Sequence, residues 1–484
     1  MKQKRVVPLL RGTLYVVVVA YLTACAAIPE DLGRAEVEGL IRSTTGVEPN
    51  QTPPVSGEIT LSAAVETALA NNPEFRLQMA ALGYGAADVY AASRIRNPVF
   101  SASIFDSTEA GAKEQVTIGL VASFTDMITL PQRKRYAAAE YAQLKQQVAH
   151  AAAQTVKSTQ MAFVAHAAAQ ERMELAAFGA HSADVSLRLA ERFVEAGNMS
   201  PHKFALAQTH ASELLLAELE AQAAVAQSRA HLADILGLDA ADTWEIAGGI
   251  PEPSANEIAL DEALKLSFNN RLDLKAAVAH AKSSAQREGL EDWVRWIDEF
   301  EVGYERERET DGSRLRGPHV DWALPLISQN RDRLLRAQVK TQQSLIEIEQ
   351  LQNQIRNQVW LAHRALANAR QKLQLLTNQL MPAQQQATER AQEEQAYMLI
   401  GVFELLESKQ AEFGGLALYI EALEDYWSAA AQLSYAMGSP MTDFNSQAAF
   451  RVSSVVVPDE PENTNHNHHQ HHQHQGHKMK EGHH

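Results

Sequence analysis

The sequence predicts a mainly α-helical chain with a small β part and an internal two-fold repeat. Three observations predict it. The run 132–196 holds no proline between Pro131 and Pro201 and is dominated by Ala, Gln, Glu, Leu and Arg, which are strong helix formers. A similar run returns at about 330–400. At roughly 1.5 Å per residue, each is a rod of about 100 Å, far longer than a globular domain needs. The second observation is an echo: segment 59–75 recurs as 258–274, shifted by about 199 positions. The third is apolar alternation with a period of two on either side of Gly-containing turns, once in each copy.

Taken in order, the chain opens with Lys2, Lys4, Arg5 and Arg11, followed by a short apolar run ending Leu22-Thr23-Ala24-Cys25. That run is short for a membrane span and suits a secretory signal over 1–24. Cys25 is the only cysteine, which excludes an intramolecular disulfide and any paired-cysteine motif. Residues 25–58 are polar, hold Pro53-Pro54 and read as an extended leader. The first unit spans 59–250. Its helical pattern starts at Leu61, with Ala64, Val65, Ala68 and Leu69 on one face. A hairpin follows over 98–125: Phe100, Ala102 and Ile104 alternate on one arm, and Val116, Ile118, Leu120, Ala122 and Phe124 on the other. The long helix then runs to Gly197. The second unit spans 251–450 and has its hairpin over 299–326. Phe300, Val302 and Tyr304 alternate there with Glu301, Gly303 and Glu305, and after a turn at Asp311-Gly312 the pattern resumes with Val320, Trp322 and Leu324. Within the repeat, Arg133 answers Arg331, Gly197 answers Gly401, and Leu236-Gly237 answers Met437-Gly438. Residues 451–484 form a His-rich tail that reads as disordered.

Strands of about 9–11 residues with one apolar face are long enough to cross a membrane. Four strands do not close a barrel, and an open edge is not tolerated in lipid. Either the hairpins pair in a soluble sheet or several chains pool their strands. With 45% hydrophobic but 6% aromatic residues, the chain suits closely packed long helices better than one thick core. A formal net charge of −16 excludes a basic phosphate-binding surface, so no nucleic-acid partner is expected. No P-loop, nucleophile elbow or cofactor fingerprint is present. We therefore read the chain as a non-enzyme that requires no cofactor.

The lone cysteine after a small residue resembles a bacterial lipoprotein signal, which implies cleavage before Cys25 and its lipidation. Ala26 follows instead of the aspartate that resembles an inner-membrane retention signal, which implies an outer-membrane destination. An ordinary signal with an incidental cysteine is the alternative. Across 59–450, the duplicated helix–hairpin–helix unit, the lipid signal and the two Gly-centred helix turns together resemble the TolC-type outer-membrane efflux factors, and among them the lipidated cation-efflux branch typified by CzcC and CusC. The resemblance implies a homotrimer in which three sets of four strands close a 12-stranded barrel in outer-membrane lipid. That barrel would continue into an α-helical barrel of coiled helices reaching across the periplasm. The implied partners are a periplasmic membrane-fusion adaptor and an inner-membrane RND pump, which would supply the energy for a passive channel.

The two helix turns are the implied adaptor-docking tips, with Ala196, Gly197, Ile400, Gly401 and Val402 as docking backbone. Gly at a helix end supplies a positive φ without a Cβ clash. Past the second turn, Glu404 and Glu407 are three apart and share a helix face. Spacing alone gives a solvated face; the resemblance implies an acidic ring at the tunnel entrance, six carboxylates in a trimer. Lys203 stands at the first turn where the family often has an acid. In the tail, His466, His468, His469, His471, His472, His474, His477, His483 and His484 are nine of the chain's 18 histidines. Such density offers weak binding of divalent zinc, copper, nickel or cobalt, unless the tract is a tag or incidental. The remaining histidines are dispersed and read as core or surface residues. The cargo expected is a heavy-metal cation. Organic compounds such as drugs are the alternative cargo, and a non-pore periplasmic coiled-coil scaffold is the alternative class.

Overall fold

The computed structural model describes residues 30–47, 57–108, 111–247, 249–253, 257–327, 329–440 and 449–456. Long helices dominate, and each half of the chain passes through a pair of short helices, a β-hairpin, a long helix and its return. The first half holds α1 (Arg34–Thr45), β1 (Gly57–Ile59), α2 (Leu61–Asn71), α3 (Pro73–Ala92), β2 (Val99–Phe105), β3 (Gln115–Ser123), α4 (Phe124–Glu195) and α5 (Pro201–Leu236). After β4 (Trp244–Ile246) and β5 (Ile250–Pro251), the second half holds α6 (Leu260–Asn270), α7 (Leu272–Val294), β6 (Phe300–Arg308), β7 (Arg314–Trp322), α8 (Arg331–Leu375), α9 (Met381–Ala396) and α10 (Val402–Met437). The short β8 (Ala449–Phe450) and α11 (Ser453–Val456) end the described chain.

Local chemistry starts and stops these elements. The Thr60 side chain accepts from the Ala63 N–H, Asn72 accepts from Phe75, Ser123 from Asp126 and Ser200 from Lys203. Each satisfies one orphan donor of a helix N-terminus. Pro73 and Pro201 occupy first helical positions, where no N–H is needed. Helix α4 has 72 residues, roughly 110 Å at 1.5 Å per residue.

Four expectations are corrected. The leader, expected to be extended, holds α1, whose Val37 and Ile41 are buried in one apolar cluster with Val148 and Ala149 of α4. The first rod begins at Phe124, and Pro131 lies inside it. The Ser123 cap starts the helix, and it survives the lost hydrogen bond because its first turns are anchored. Arg96 pairs with Asp126 at 2.6 Å, and Arg133 donates to the Asp126 carbonyl at 3.3 Å. The second rod is not one α-helix. It breaks into a π-helical turn over Leu376–Leu380, just before Pro382; a proline ring clashes with the carbonyl four residues back, and the wider turn makes room. Strand β2 is shorter than expected, at seven residues, whereas β3, β6 and β7 have nine each, and Phe124 and Leu324 lie beyond the ends of β3 and β7.

The hairpins join edge to edge as one antiparallel sheet, β2-β3-β6-β7. Thr125 locks the two halves at its base: its hydroxyl donates to the Asp298 carbonyl and accepts from the Phe300 N–H, both at 2.9 Å. Far from the sheet, β1 pairs in parallel with β4, and β5 pairs antiparallel with β8. The largest core lies there, around the buried Trp244, Tyr426 and Trp427. The Trp427 indole donates to the Pro251 carbonyl at 2.7 Å. Along α4 the buried positions include Ala149, Ala152, Ala162, Ala167, Ala168, Ala183 and Ala190, small residues that let long helices approach closely. Among the described residues, no helix is long and apolar enough to cross a membrane.

Candidate functional site

Two places concentrate functional chemistry, the paired helix turns at one end and the sheet at the other. At the first turn the Gly197 N–H donates to the Val194 carbonyl and the Asn198 N–H to Phe193, with Gly197 at φ 74°. At the second, the Met398 N–H donates to Gln395 and the Leu399 N–H to Glu394, with Met398 at φ 56°. This is the same hydrogen-bond pattern of a helix end closed through a left-handed residue. The expected equivalence of Gly197 with Gly401 is therefore corrected: Met398 answers Gly197, and Gly401, at φ −84°, answers Ser200 as the N-cap of the returning helix.

That register places Glu404 opposite Lys203, each at the third helical position after its cap. Ala196, Gly197, Gly401, Lys203, Glu404 and Glu407 are exposed, while Ile400 and Val402 are half-buried. The structure brings the two turns together, since the Phe193 and Phe403 rings lie 6.2 Å apart. Neither Glu404 nor Glu407 has an ion-pair partner among the described residues. The sequence reading missed the most exposed part of the second turn: Tyr397, Met398 and Leu399 are 78, 92 and 73% exposed. Their apolar character at the end of a helical run reads as core in sequence.

The sheet separates two chemistries across its faces. Antiparallel register puts Phe100, Leu120, Tyr304 and Pro318 in one row and Val302 beside Ala122 and Val320 in the next. At the base of that face, Phe300 meets Phe124 and Trp322 edge-on at 5.4 and 5.9 Å, and the Trp322 indole donates to the Ile297 carbonyl at 2.9 Å. This is an apolar face ending in an aromatic row, the pattern of a lipid-facing strand surface at its interface. The opposite face carries Ser101, Ser103, Thr117 and Gly119 beside Glu301, Glu305, Glu307 and Asp321, with Val99, Phe105, Val121 and Leu315 among them. His319 stands there between Glu305 at 3.8 Å and Asp321 at 3.2 Å.

At the joint below the sheet, Asp126 is buried. Burial pushes its pKa up, but the Arg96 hydrogen bonds and the Arg133 charge outweigh that and hold the carboxyl below its ordinary value. It is a structural clamp. His166 is buried in the helical core, with Nδ1 2.9 Å from the Ser228 hydroxyl, and burial together with the Arg229 charge lowers its pKa to about 4. No group of His, Cys, Asp or Glu among the described residues is arranged to hold a metal ion. Cys25 and the nine tail histidines lie outside the described residues.

This architecture is one found among solved outer-membrane channels. No family model matches the sequence, and no curated protein matches it. Solved structures do. The chain is similar to the CmeC outer membrane channel of Campylobacter jejuni, at 13% identity over 78% of this chain and 85% of that one, with a TM-score of 0.67. It is likewise similar to the outer membrane protein VceC of Vibrio cholerae, at 16% identity over 78% and 96%, TM-score 0.64. CusC, studied for its folding and transmembrane channel formation, matches at 14% identity over 78% and 92%, TM-score 0.63. The chain shares their fold.

Proposed function

We propose that the chain is the outer-membrane channel of a tripartite, RND-type efflux system, passively conducting heavy-metal cations from the periplasm to the outside. The observation that carries this reading is the two-faced sheet. Apart from four arginines beside the turns, one face is apolar with an aromatic base, the other carries the carboxylates, and β2 and β7 are the edges of a four-stranded sheet. A homotrimer closes those edges into a 12-stranded barrel, with the apolar face toward lipid and the carboxylates of Glu301, Glu305, Glu307 and Asp321 toward the lumen. Rings of carboxylates select cations. Exposed Leu215, Leu216 and Leu219 on α5 and Leu335, Leu345 and Ile346 on α8 supply apolar seams for neighbouring protomers in a helical barrel. The paired turns then face the adaptor, with Glu404 and Glu407 at the entrance. Cys25 anchors the leader to lipid, and the tail histidines bind divalent metal near the exit of the pump.

Single-channel recording of the purified protein in planar bilayers tests this. The expected result is a trimer forming cation-selective pores. In Glu404→Gln/Glu407→Gln, cation preference falls by on the order of tenfold, the scale on which a charged constriction concentrates its counter-ion. A monomer without pores would favour a periplasmic scaffold instead. Deleting 463–484 is expected to reduce metal binding and leave conductance intact.

A further inference from the structure

Strand β6 and its partner β7 carry arginines that the channel reading does not use. The stretch Glu305-Arg306-Glu307-Arg308 alternates in sign, and a strand sends successive side chains to opposite faces. The carboxylates therefore go to the acidic face and the guanidiniums to the apolar one. Register adds two more: Arg306 lies directly opposite Arg316, and Arg308 opposite Arg314. On the other hairpin the same two rows are apolar, with Ile118 and Ala102 beside Arg306, and Val116 and Ile104 beside Arg308. Four arginines thus form a block on an otherwise apolar surface, next to the hairpin turns.

Like charges placed directly opposite one another destabilise a sheet, so the block calls for anions from outside the protomer. Arg306, Arg314 and Arg316 are exposed and have no ion-pair partner among the described residues. Arg308 donates to the Glu114 carbonyl at 3.3 Å and lies 4.0 Å from its carboxylate, and its Nε has no acceptor. Height supports the same conclusion. Measured from the aromatic row of Phe300 and Trp322, Arg306 and Arg308 stand roughly 15 and 20 Å higher, at about 3.3 Å per residue and about 40° of tilt. The apolar band of an outer-membrane barrel is about 25 Å tall, so the two rows lie roughly 10 and 5 Å below its outer edge, and the long arginine side chains snorkel from there toward the outer-leaflet headgroups.

We propose that Arg306, Arg308, Arg314 and Arg316 form a binding site for the phosphate groups of an outer-leaflet lipid, whose acyl chains lie on the apolar rows below. Guanidinium forks bind phosphate oxygens in pairs, and bound phosphate removes the repulsion between the opposed arginines. The proposal rests on the reading of this sheet as a lipid-facing barrel wall. It deepens that reading by naming the lipid chemistry and the residues that select it.

The test uses the purified full-length protein in neutral detergent, offered lipid A with its phosphates, the same lipid after dephosphorylation, or inorganic phosphate. Native mass spectrometry and the thermal unfolding midpoint are the readouts. The phosphorylated lipid is expected to be retained roughly tenfold better than the dephosphorylated form and to raise the midpoint. In Arg306→Gln/Arg314→Gln/Arg316→Gln that preference is lost, while the midpoint without lipid is no lower than in the parent because the opposed charges are gone. The corresponding triple Lys variant keeps part of the preference, since charge remains and the fork does not. Equal retention of both lipids, an unchanged preference in the Gln variant, or an equal thermal shift from inorganic phosphate alone would overturn the proposal. Bilayer recording keeps the two readings apart. Protein that makes no pores sinks the channel, whereas pore-forming protein indifferent to headgroup phosphate sinks only the lipid site.

Discussion

The two halves of the chain pass through the same order of elements, yet their helix turns are built differently. The first turn places Gly197 at its left-handed position and Ser200 at its N-cap, so each backbone requirement is met by a residue suited to it. The second places Met398 at the left-handed position and Gly401 at the N-cap, with no side-chain cap. It also exposes Tyr397, Met398 and Leu399 to solvent. Local rules broken without a gain inside the protomer are expected where function is located. The difference teaches that the first turn meets its backbone requirements with locally suited residues and the second does not.

The largest effect that sharpens this comparison is expected where both halves use the same helix stop. Gly237 and Gly438 end α5 and α10 at φ 67° and 63°. A Cβ on Gly237 would lie 2.6 Å from the Asn71 carbonyl oxygen, and one on Gly438 would lie 3.1 Å from the Arg271 nitrogen. Gly237→Ala is expected to cost about 3 kcal/mol, combining left-handed strain with a backbone clash. Gly438→Ala is expected to cost about 1–2 kcal/mol, mostly strain. Thermal unfolding of the two variants checks the order; equal losses would mean that the closer approach in the first half relaxes freely.

The halves contribute different side chains to the shared core. In the first half His166 is buried against Ser228, whereas the second half buries Tyr426 and Trp427. His166 has a folded pKa of about 4 against an ordinary 6.5. Unfolded chains therefore bind more protons between those values. The contribution is fully present above pH 6.5 and declines as the pH falls toward 4, by on the order of 3 kcal/mol in total. His166→Gln is expected to flatten that part of the stability profile. A variant that keeps the full pH slope would assign it to other groups.

Much of this fold was legible because its signals are periodic. The hairpins follow from Val116, Ile118 and Leu120, and the rods from their Ala- and Gln-rich runs. What sequence reading missed was register. Gly197 and Gly401 look equivalent because both are glycine in a helix turn, but the hydrogen bonds assign them different tasks. Pro382 is plain in the sequence, yet only the structure shows that a π-helical turn absorbs it. The two-sided charge of Glu305 to Arg308 is visible as alternation. Its alignment with Arg314 and Arg316 requires the β6–β7 pairing.

The smallest effect is the most discriminating, because the two turns are expected to respond with opposite signs. A left-handed backbone costs a residue with a Cβ about 1–2 kcal/mol relative to glycine. Gly197→Ala adds that strain to the first turn, while Met398→Gly removes it from the second. No atom lies within 4 Å of a Cβ built on Gly197, so conformational strain is the whole of its expected cost. Met398 is 92% exposed, so its loss removes little contact within the protomer. Hydrogen exchange at the turn amides is the suitable measurement, since it reads local opening without unfolding the long helices. Protection should fall several-fold at Asn198 in the first variant and rise at Leu399 in the second, each by about 1 kcal/mol of local stability. If both substitutions loosen their turns, Met398 is held by contacts inside the chain and the contrast between the turns collapses. If the signs are opposite while Met398→Gly weakens binding of the adaptor, then the strained methionine is maintained for the partner and not for the fold.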